Sequence, residues 1–217
     1  PSSDADENLI GEGIPKSRIS MIGNIMIDSF EMLRSQIEAS ASRERLGLES
    51  GNFALVTLHR PSNVDSIEQL SPIVNSLLEV SKSLPIVFVA HPRTRKSLEQ
   101  FGLDKKLAAC ENVSVLEPQP YIKFMSLVTD ARCVITDSGG LQEETTYLGI
   151  PCLTMRENTE RPITVEIGTN RLVRAENLTD SMAEVLAGNW PAGKQPDLWD
   201  GQTAKRAVQD LLLRARA

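Results

Sequence analysis

Histidine is almost missing from this chain: His59 and His91 are the only two in 217 residues. Cysteine is nearly as scarce, and Cys110, Cys133 and Cys152 stand far apart. No cluster of His, Cys, Asp and Glu has the spacing of a metal site, so no metal is expected. Two of the cysteines fall in apolar segments, which predicts buried, reduced thiols in the cytoplasm rather than disulfides. Positive charge is also in deficit, at 23 Lys and Arg against 29 Asp and Glu, for a net charge of −6. The basic residues are scattered, and this argues against nucleic acid as a partner. No apolar run approaches the length of a membrane span and no signal-peptide pattern opens the chain, so no membrane partner is expected. A starting methionine is lacking too: Pro1 is followed by the polar run Ser2 to Asn8, which leads into no core segment. That opening predicts a piece of a longer protein. The length suits one good-sized domain, or one domain plus a fragment of another.

What the chain does have is a conspicuous junction at Cys133-Val134-Ile135-Thr136-Asp137-Ser138-Gly139-Gly140-Leu141-Gln142-Glu143-Glu144. A short apolar strand candidate runs directly into a helical sequence, with two glycines between. Lacking Cβ atoms, Gly139 and Gly140 let backbone approach a ligand closely, and the free N–H groups of the first helical turn favour a phosphate. Ser138 can cap that helix or add a hydroxyl donor. Glu144 lies about one helical turn further on, where a carboxylate would repel phosphate but accept hydrogen bonds from ribose hydroxyls. The stretch therefore suggests a nucleotide, although two glycines after a strand could equally be a tight turn.

Around this junction the pattern is regular. Strand candidates are Arg18 to Ile22, Phe53 to Thr57, Pro85 to Ala90, Val113 to Leu116, Cys133 to Thr136, Pro151 to Met155 and Asn170 to Val173. Helical spacing covers Ile25 to Ala39, Ser66 to Leu84, Thr94 to Phe101, Pro120 to Thr129, Leu178 to Leu186 and Thr203 to Arg214. Glu44 to Asn52 reads as a linker or loop. Near-continuous apolar strands alternating with helices predict an α/β fold: a Rossmann-like parallel sheet with helices on both faces.

Ligands of such sheets sit beyond the carboxyl ends of the strands. The polar clusters His59-Arg60-Pro61-Ser62-Asn63, His91-Pro92-Arg93, Ser138-Gly139-Gly140 and Arg156 through Arg161 all fall there. A single strand-end histidine is more often a surface residue than a catalyst; two on one rim reverse that preference for His59. Beside phosphates its imidazolium would be favoured, and it could neutralise a diphosphate or protonate it as it leaves. Arg60 and Arg93 are either solvated charges or anion ligands. Arg161 precedes a proline suited to starting a helix, from which it could reach toward the site. Phe124 is most economically a core residue, with stacking on a base as the lesser use. Apart from Glu143 and Glu144, no carboxylate pair is placed for acid/base work at a sugar carbon.

Taken together, Gly23-Asn24-Ile25-Met26-Ile27-Asp28, Val56-Thr57-Leu58-His59-Arg60-Pro61, Thr136 to Glu144, Gly149-Ile150-Pro151, Met155 to Pro162 and Asp200-Gly201-Gln202 strongly resemble the non-hydrolysing UDP-N-acetylglucosamine 2-epimerases. The likeness covers nearly the whole chain, in order, but only the C-terminal portion of that family. It implies the C-terminal half of a two-domain GT-B fold. Residues 1–23 would be a remnant of the N-terminal domain and hinge. Residues 24–217 would form the UDP-binding domain, with the helix at about 203–214 crossing back toward the other half.

The same resemblance implies interconversion of UDP-N-acetylglucosamine and UDP-N-acetylmannosamine, by elimination of UDP and its re-addition on the other face of the sugar. UDP and a UDP-N-acetylhexosamine are then the ligands, no cofactor or metal is needed, and the full-length enzyme is expected to be a homodimer. Carried over by position, Ser138, Gly139 and Gly140 would bind the diphosphate, Glu144 the ribose, and Phe124 would lie by the uracil. Arg161 and His59 would contact phosphate, with His59 also the candidate acid for the departing UDP. Arg60 and His91 match positions that help some members bind a second, regulatory nucleotide sugar. Ser62 departs from the acidic residue that many members carry there. The family's acid and base carboxylates at the sugar belong to its N-terminal domain, so this chain alone is expected to be inactive. Three other readings stay open: a GT-B UDP-sugar glycosyltransferase, a non-catalytic nucleotide-binding module, and a hydrolysing relative.

Overall fold

All but one of the strands expected from apolar runs form, and they join in a single six-stranded parallel sheet. The computed structural model describes residues 1–215, so the last two positions of the expected UDP-binding domain, 216 and 217, lie outside the described residues. The chain opens with α1 (Ser3–Gly11) and α2 (Ile25–Glu38). There follow β1 (Ala54–Thr57), α3 (Pro61–Val64), α4 (Ile67–Val80), β2 (Ile86–Val89), α5 (Pro92–Gln100), α6 (Leu103–Ala108), β3 (Val113–Leu116) and α7 (Tyr121–Asp130). The second half holds β4 (Cys133–Thr136), α8 (Gly139–Leu148), β5 (Cys152–Met155), α9 (Pro162–Glu166), β6 (Asn170–Val173), α10 (Leu178–Leu186) and α11 (Thr203–Arg214).

The strand order is β3-β2-β1-β4-β5-β6, with every pair parallel. The chain builds outward from β1 to β3, then returns to place β4 on the other flank of β1. That reversal creates a crevice between the carboxyl ends of β1 and β4. Alternate strand residues point to opposite faces, so a strand covered on both sides must be apolar throughout. Ala54 and Val56 of β1 accordingly enter one core with Leu70, Ile73 and Leu77 of α4 and Leu178 of α10. Leu55 between them enters the other, with Phe30 and Ile37 of α2, Met125 of α7 and Leu141 of α8. Cys133 and Cys152 are buried free thiols in central strands, as their apolar surroundings predict, and Cys110 is a half-buried one.

Arg18 to Ile22 is the exception: no strand forms there. Extended backbone needs a neighbouring ladder to satisfy it, and this segment runs beside α11 instead. Ser20 Oγ donates to Asp210 Oδ1 at 2.8 Å, and Arg206 Nη1 donates to Ile22 O at 3.3 Å. Three helices, α1, α3 and α6, lie outside those the sequence pattern predicts; α1 buries none of its residues. In α6 only Leu103 and Leu107 are buried, too few apolar positions to show a period.

The first long helix and the last are clasped together. Both oxygens of Asp28 accept backbone N–H groups that open α11, Thr203 at 3.0 Å and Ala204 at 2.8 Å, so α2 supplies the cap of α11. Gly23 has φ +96°, and a Cβ there would stand 2.3 Å from Leu198 O, so only glycine fits. Beyond this clasp α11 exposes Val208, Leu211, Leu212 and Leu213. Among the described residues no helix is long and apolar enough to cross a membrane.

Candidate functional site

Three of the rim segments share one local design. Arg60, His91 and Arg161 each occupy the residue before a helix whose first position is proline: Pro61 of α3, Pro92 of α5 and Pro162 of α9. Proline pre-sets the helical φ and lacks the N–H that would be unpaired there, so each basic residue is fixed at a helix start. The fourth segment is the amino end of α8. Its backbone is open to solvent, since a Cβ on Gly139 would meet nothing within 4 Å and one on Gly140 only Met26 Cε at 3.9 Å. Neither glycine has a positive φ. Access rather than backbone twist is what these glycines provide. Ser138 precedes the helix but its side chain makes no capping bond, contrary to one of its two expected uses, so its hydroxyl is left as a donor at the turn.

The crevice between β1 and β4 is closed by Asp137, whose side chain is fully buried. Oδ2 accepts from Arg60 N at 2.9 Å, Asn63 Nδ2 at 3.0 Å and His59 N at 3.1 Å. Oδ1 faces His59 Nδ1 at 2.9 Å. Burial alone would raise the pKa of Asp137, but the bonds from His59, Arg60 and Asn63 outweigh it and hold the carboxyl below its ordinary value. The backbone O of Asp137 also accepts from Arg60 Nε at 3.1 Å. One carboxylate thus fastens the loop after β1 to the turn before α8. His59 and His91 come together on this rim, with ring centroids 5.8 Å apart.

Along α8, Glu143 and Glu144 are both buried. Glu144 Oε1 accepts from Tyr121 Oη at 2.8 Å. Its pKa is lifted to about 7 by burial, opposed by the Tyr121 hydroxyl and reinforced by the Glu143 charge. Glu143 lies 2.8 Å from Arg161 Nε, an ion pair by distance whose N–H is not aimed along a hydrogen bond. Burial raises the Glu143 pKa too, against the pull of Arg161. The loop carrying Arg161 is anchored by buried Gln142, whose Oε1 accepts from Thr159 Oγ1 at 2.6 Å and Asn170 Nδ2 at 3.1 Å. Thr159 Oγ1 in turn accepts from Arg161 N at 2.9 Å. Arg156 binds Glu160 and holds its carboxyl down at about 2.

The fold therefore gathers His59, Arg60, His91, Ser138, Gly139, Gly140, Glu144 and Arg161 along the carboxyl ends of β1, β2, β4 and β5. Phe124, one turn beyond Tyr121 on α7, is half-buried and packs on the core beneath the rim. Sequence reasoning missed Asp137 and Gln142 as anchors and Tyr121 as the partner of Glu144. A cavity of about 590 Å³ opens beside the site, between the amino ends of α3 and α4 and the segments after β5 and β6. It shares Arg60 and Asn63 with the rim but reaches none of Ser138, Gly139, Gly140, Glu144 or Arg161, so it is not the glycine-turn site.

Comparison with known proteins adds the following. A family model described as UDP-N-acetylglucosamine 2-epimerase matches residues 1–212. A UDP-N-acetylglucosamine 2-epimerase of Methanocaldococcus jannaschii is 37% identical over 221 aligned residues, covering 97% of this chain and 59% of the relative. A crystal structure of Methanocaldococcus jannaschii UDP-GlcNAc 2-epimerase in complex with UDP-GlcNAc and UDP matches with a TM-score of 0.86 at 36% identity, over 98% of this chain and 60% of that one. The UDP-GlcNAc 2-epimerase of Neisseria meningitidis, bound to UDP-GlcNAc, matches with a TM-score of 0.81 at 29% identity, again over 98% and 60% of the two chains. This chain thus spans about three-fifths of the length of each of these relatives.

Proposed function

The chain belongs to the UDP-N-acetylglucosamine 2-epimerase family, and on that premise we propose that it is the nucleotide-binding portion of an enzyme interconverting UDP-N-acetylglucosamine and UDP-N-acetylmannosamine. Its sheet is the C-terminal, Rossmann-like half of a GT-B fold. The observation that carries the reading is the convergence, at the topological switch point, of the open amino end of α8 with His59 and Arg161.

In this reading the diphosphate lies on Ser138, Gly139 and Gly140, where free N–H groups and the α8 dipole favour negative charge. His59 and Arg161 supply opposite charge from the two flanking loops, and His59 protonates UDP as it leaves the sugar. Glu144 accepts from the ribose hydroxyls, and the uracil reaches past Tyr121 toward Phe124. Arg60, next to His59 in the loop after β1, and His91, at the end of β2, take part in a second, regulatory nucleotide-sugar site. The reaction calls on no cofactor or metal.

Residues 1–23 are the remnant of an N-terminal domain and hinge, and residues 24–217 the UDP-binding domain. The unpartnered Val208, Leu211, Leu212 and Leu213 of α11 support a helix that crosses to the other half. The full-length enzyme is a cytoplasmic homodimer with no nucleic-acid partner, while this chain alone turns over nothing, since the carboxylates that move the sugar proton are expected in the other half.

Calorimetric titration with UDP tests the nucleotide reading. UDP should bind, and Arg161→Ala should weaken it roughly tenfold or more, the worth of one charge-assisted hydrogen bond. Equal affinity in wild type and in both Arg161→Ala and Glu144→Ala would overturn the assignment. Epimerisation by the isolated chain would overturn its division of labour.

A further inference from the structure

The mechanism so far uses His59 but not the carboxylate behind it. Asp137 is a fully buried acid that no ligand role requires, yet it makes contacts to His59, Arg60 and Asn63. Those contacts are not equivalent. Three N–H donors converge on Oδ2, from His59 N, Arg60 N and Asn63 Nδ2. Oδ1 meets the imidazole at Nδ1, together with His59 N at 3.1 Å. An ionised carboxylate can only accept, so Nδ1 must carry the hydrogen. In neutral His59 that leaves Nε2 as the lone-pair nitrogen, and in the imidazolium it leaves Nε2–H as the free donor.

We propose that Asp137 is the positioning residue for His59, fixing its Nδ1–H form and presenting Nε2 to the ligand side of the crevice. The consequence for catalysis rests on the reading that His59 faces the diphosphate; the assignment of the ring does not. A carboxylate behind a histidine has a known physical use: it orients the ring, selects the tautomer and stabilises the imidazolium that forms when the ring takes up a proton. The acid that protonates departing UDP needs all three. The depressed pKa of Asp137 keeps it an acceptor across the neutral range. The charged groups facing this pair are Arg60 and, beyond it, Glu160, with Arg156 near enough to feel the Asp137 charge and the ring of His91 alongside.

His91 provides an internal contrast. Its Nδ1 accepts from Arg93 N at 3.2 Å, so neutral His91 must carry its hydrogen on Nε2. Two rings 5.8 Å apart should therefore hold opposite tautomers.

With only two histidines, this chain suits a direct test: nitrogen-15 NMR of the labelled imidazoles at a pH where both are neutral, assigned with His91→Gln. The expected result is Nδ1–H at His59 and Nε2–H at His91. Finding Nε2–H at His59, or averaging between the two forms as in free imidazole, would overturn the proposal without any variant. Asp137→Asn sharpens the test. The amide must keep its oxygen toward the three donors at the Oδ2 position, which turns its NH₂ toward Nδ1. His59 should then switch to Nε2–H while His91 is unmoved; an unchanged His59 in a folded variant would sink the idea. Asp137→Asn should also weaken UDP about tenfold, as expected for losing one charge-assisted contact. Opposite tautomers in a wild-type chain that binds no UDP would support the Asp137 assignment while overturning the nucleotide reading, so the two claims fail separately.

Discussion

Glu144→Gln is expected to stabilise the protein at pH 8 by about 3 kcal/mol while weakening its hold on a nucleotide. Glu144 is only 6% exposed, and its pKa is lifted from 4.5 to about 7. A shift of that size is worth roughly 1.4 kcal/mol per unit, so about 3 kcal/mol in all. The sign follows from where the proton is held more tightly. The folded chain binds it better than the unfolded chain does, so this group's favourable contribution is complete below about pH 4.5 and falls as pH rises through 7. Glutamine does not titrate and can still bond the Tyr121 hydroxyl. The two proteins should therefore be similar in urea denaturation at pH 4.5 and diverge steadily up to pH 8; parallel stability curves would refute the origin given to the shift.

The unfavourable burial has a use in the proposed site. Two ribose hydroxyls would donate to the carboxylate and replace the water it has lost, so ligand and ionisation favour each other. Ionisation of Glu144 should therefore contribute a rise in affinity from pH 6 to pH 8 for UDP-N-acetylglucosamine, whose diphosphate diester does not titrate near neutrality. Set against it is the loss of any imidazolium charge at His59, which wild type and Glu144→Gln share. The Glu144 contribution should vanish in Glu144→Gln, along with roughly tenfold in affinity at pH 8. A stability gain coupled to a binding loss is what a residue kept for function should show.

How much of this was legible in the sequence depended on whether a residue's role is local. The strands and long helices could be read because burial on both sheet faces writes an apolar residue at nearly every strand position and a stripe on each helix. The glycine turn and Glu144 could be read because spacing within one helix places them. Arg18 to Ile22 misled because Ile19, Met21 and Ile22 satisfy the apolar pattern of a strand, and only the absence of a neighbour to pair with prevents one. The anchors were invisible for the opposite reason. Asp137 reads as one polar residue in a loop motif, and its meaning lies in contacts to His59, Arg60 and Asn63, more than 70 residues earlier. Tyr121 and Glu144 belong to different helices, and no periodicity joins them. Polar residues buried by tertiary pairing look, in sequence, like any solvated loop or helix surface.

Gln142 is the clearest such case, and Gln142→Leu is expected to cost about 2–4 kcal/mol despite nearly conserving volume. The side chain is fully buried. Its Oε1 is the acceptor for Thr159 Oγ1 and Asn170 Nδ2, and Nε2 donates to Ser138 O at 3.2 Å. Leucine fills the space and supplies none of this. Asn170, itself buried, keeps its bonds with Thr154 and Thr164 but loses one partner, and Thr159 loses its only acceptor among the described residues.

The damage should reach the ligand through Arg161, because Thr159 Oγ1, held by Gln142, receives the Arg161 N–H. Freed of that tie, the loop no longer holds the guanidinium beside Glu143, and UDP affinity should fall nearly as far as in Arg161→Ala. Thr159→Val removes the same link from its other end. If Gln142 acts on Arg161 through Thr159, the double variant should lose little more affinity than the worse of the two single variants. Fully additive losses in the calorimetric cycle would mean that the two side chains act independently, and the loop would then owe its position to its other ties, the Arg161–Glu143 and Arg156–Glu160 pairs among them.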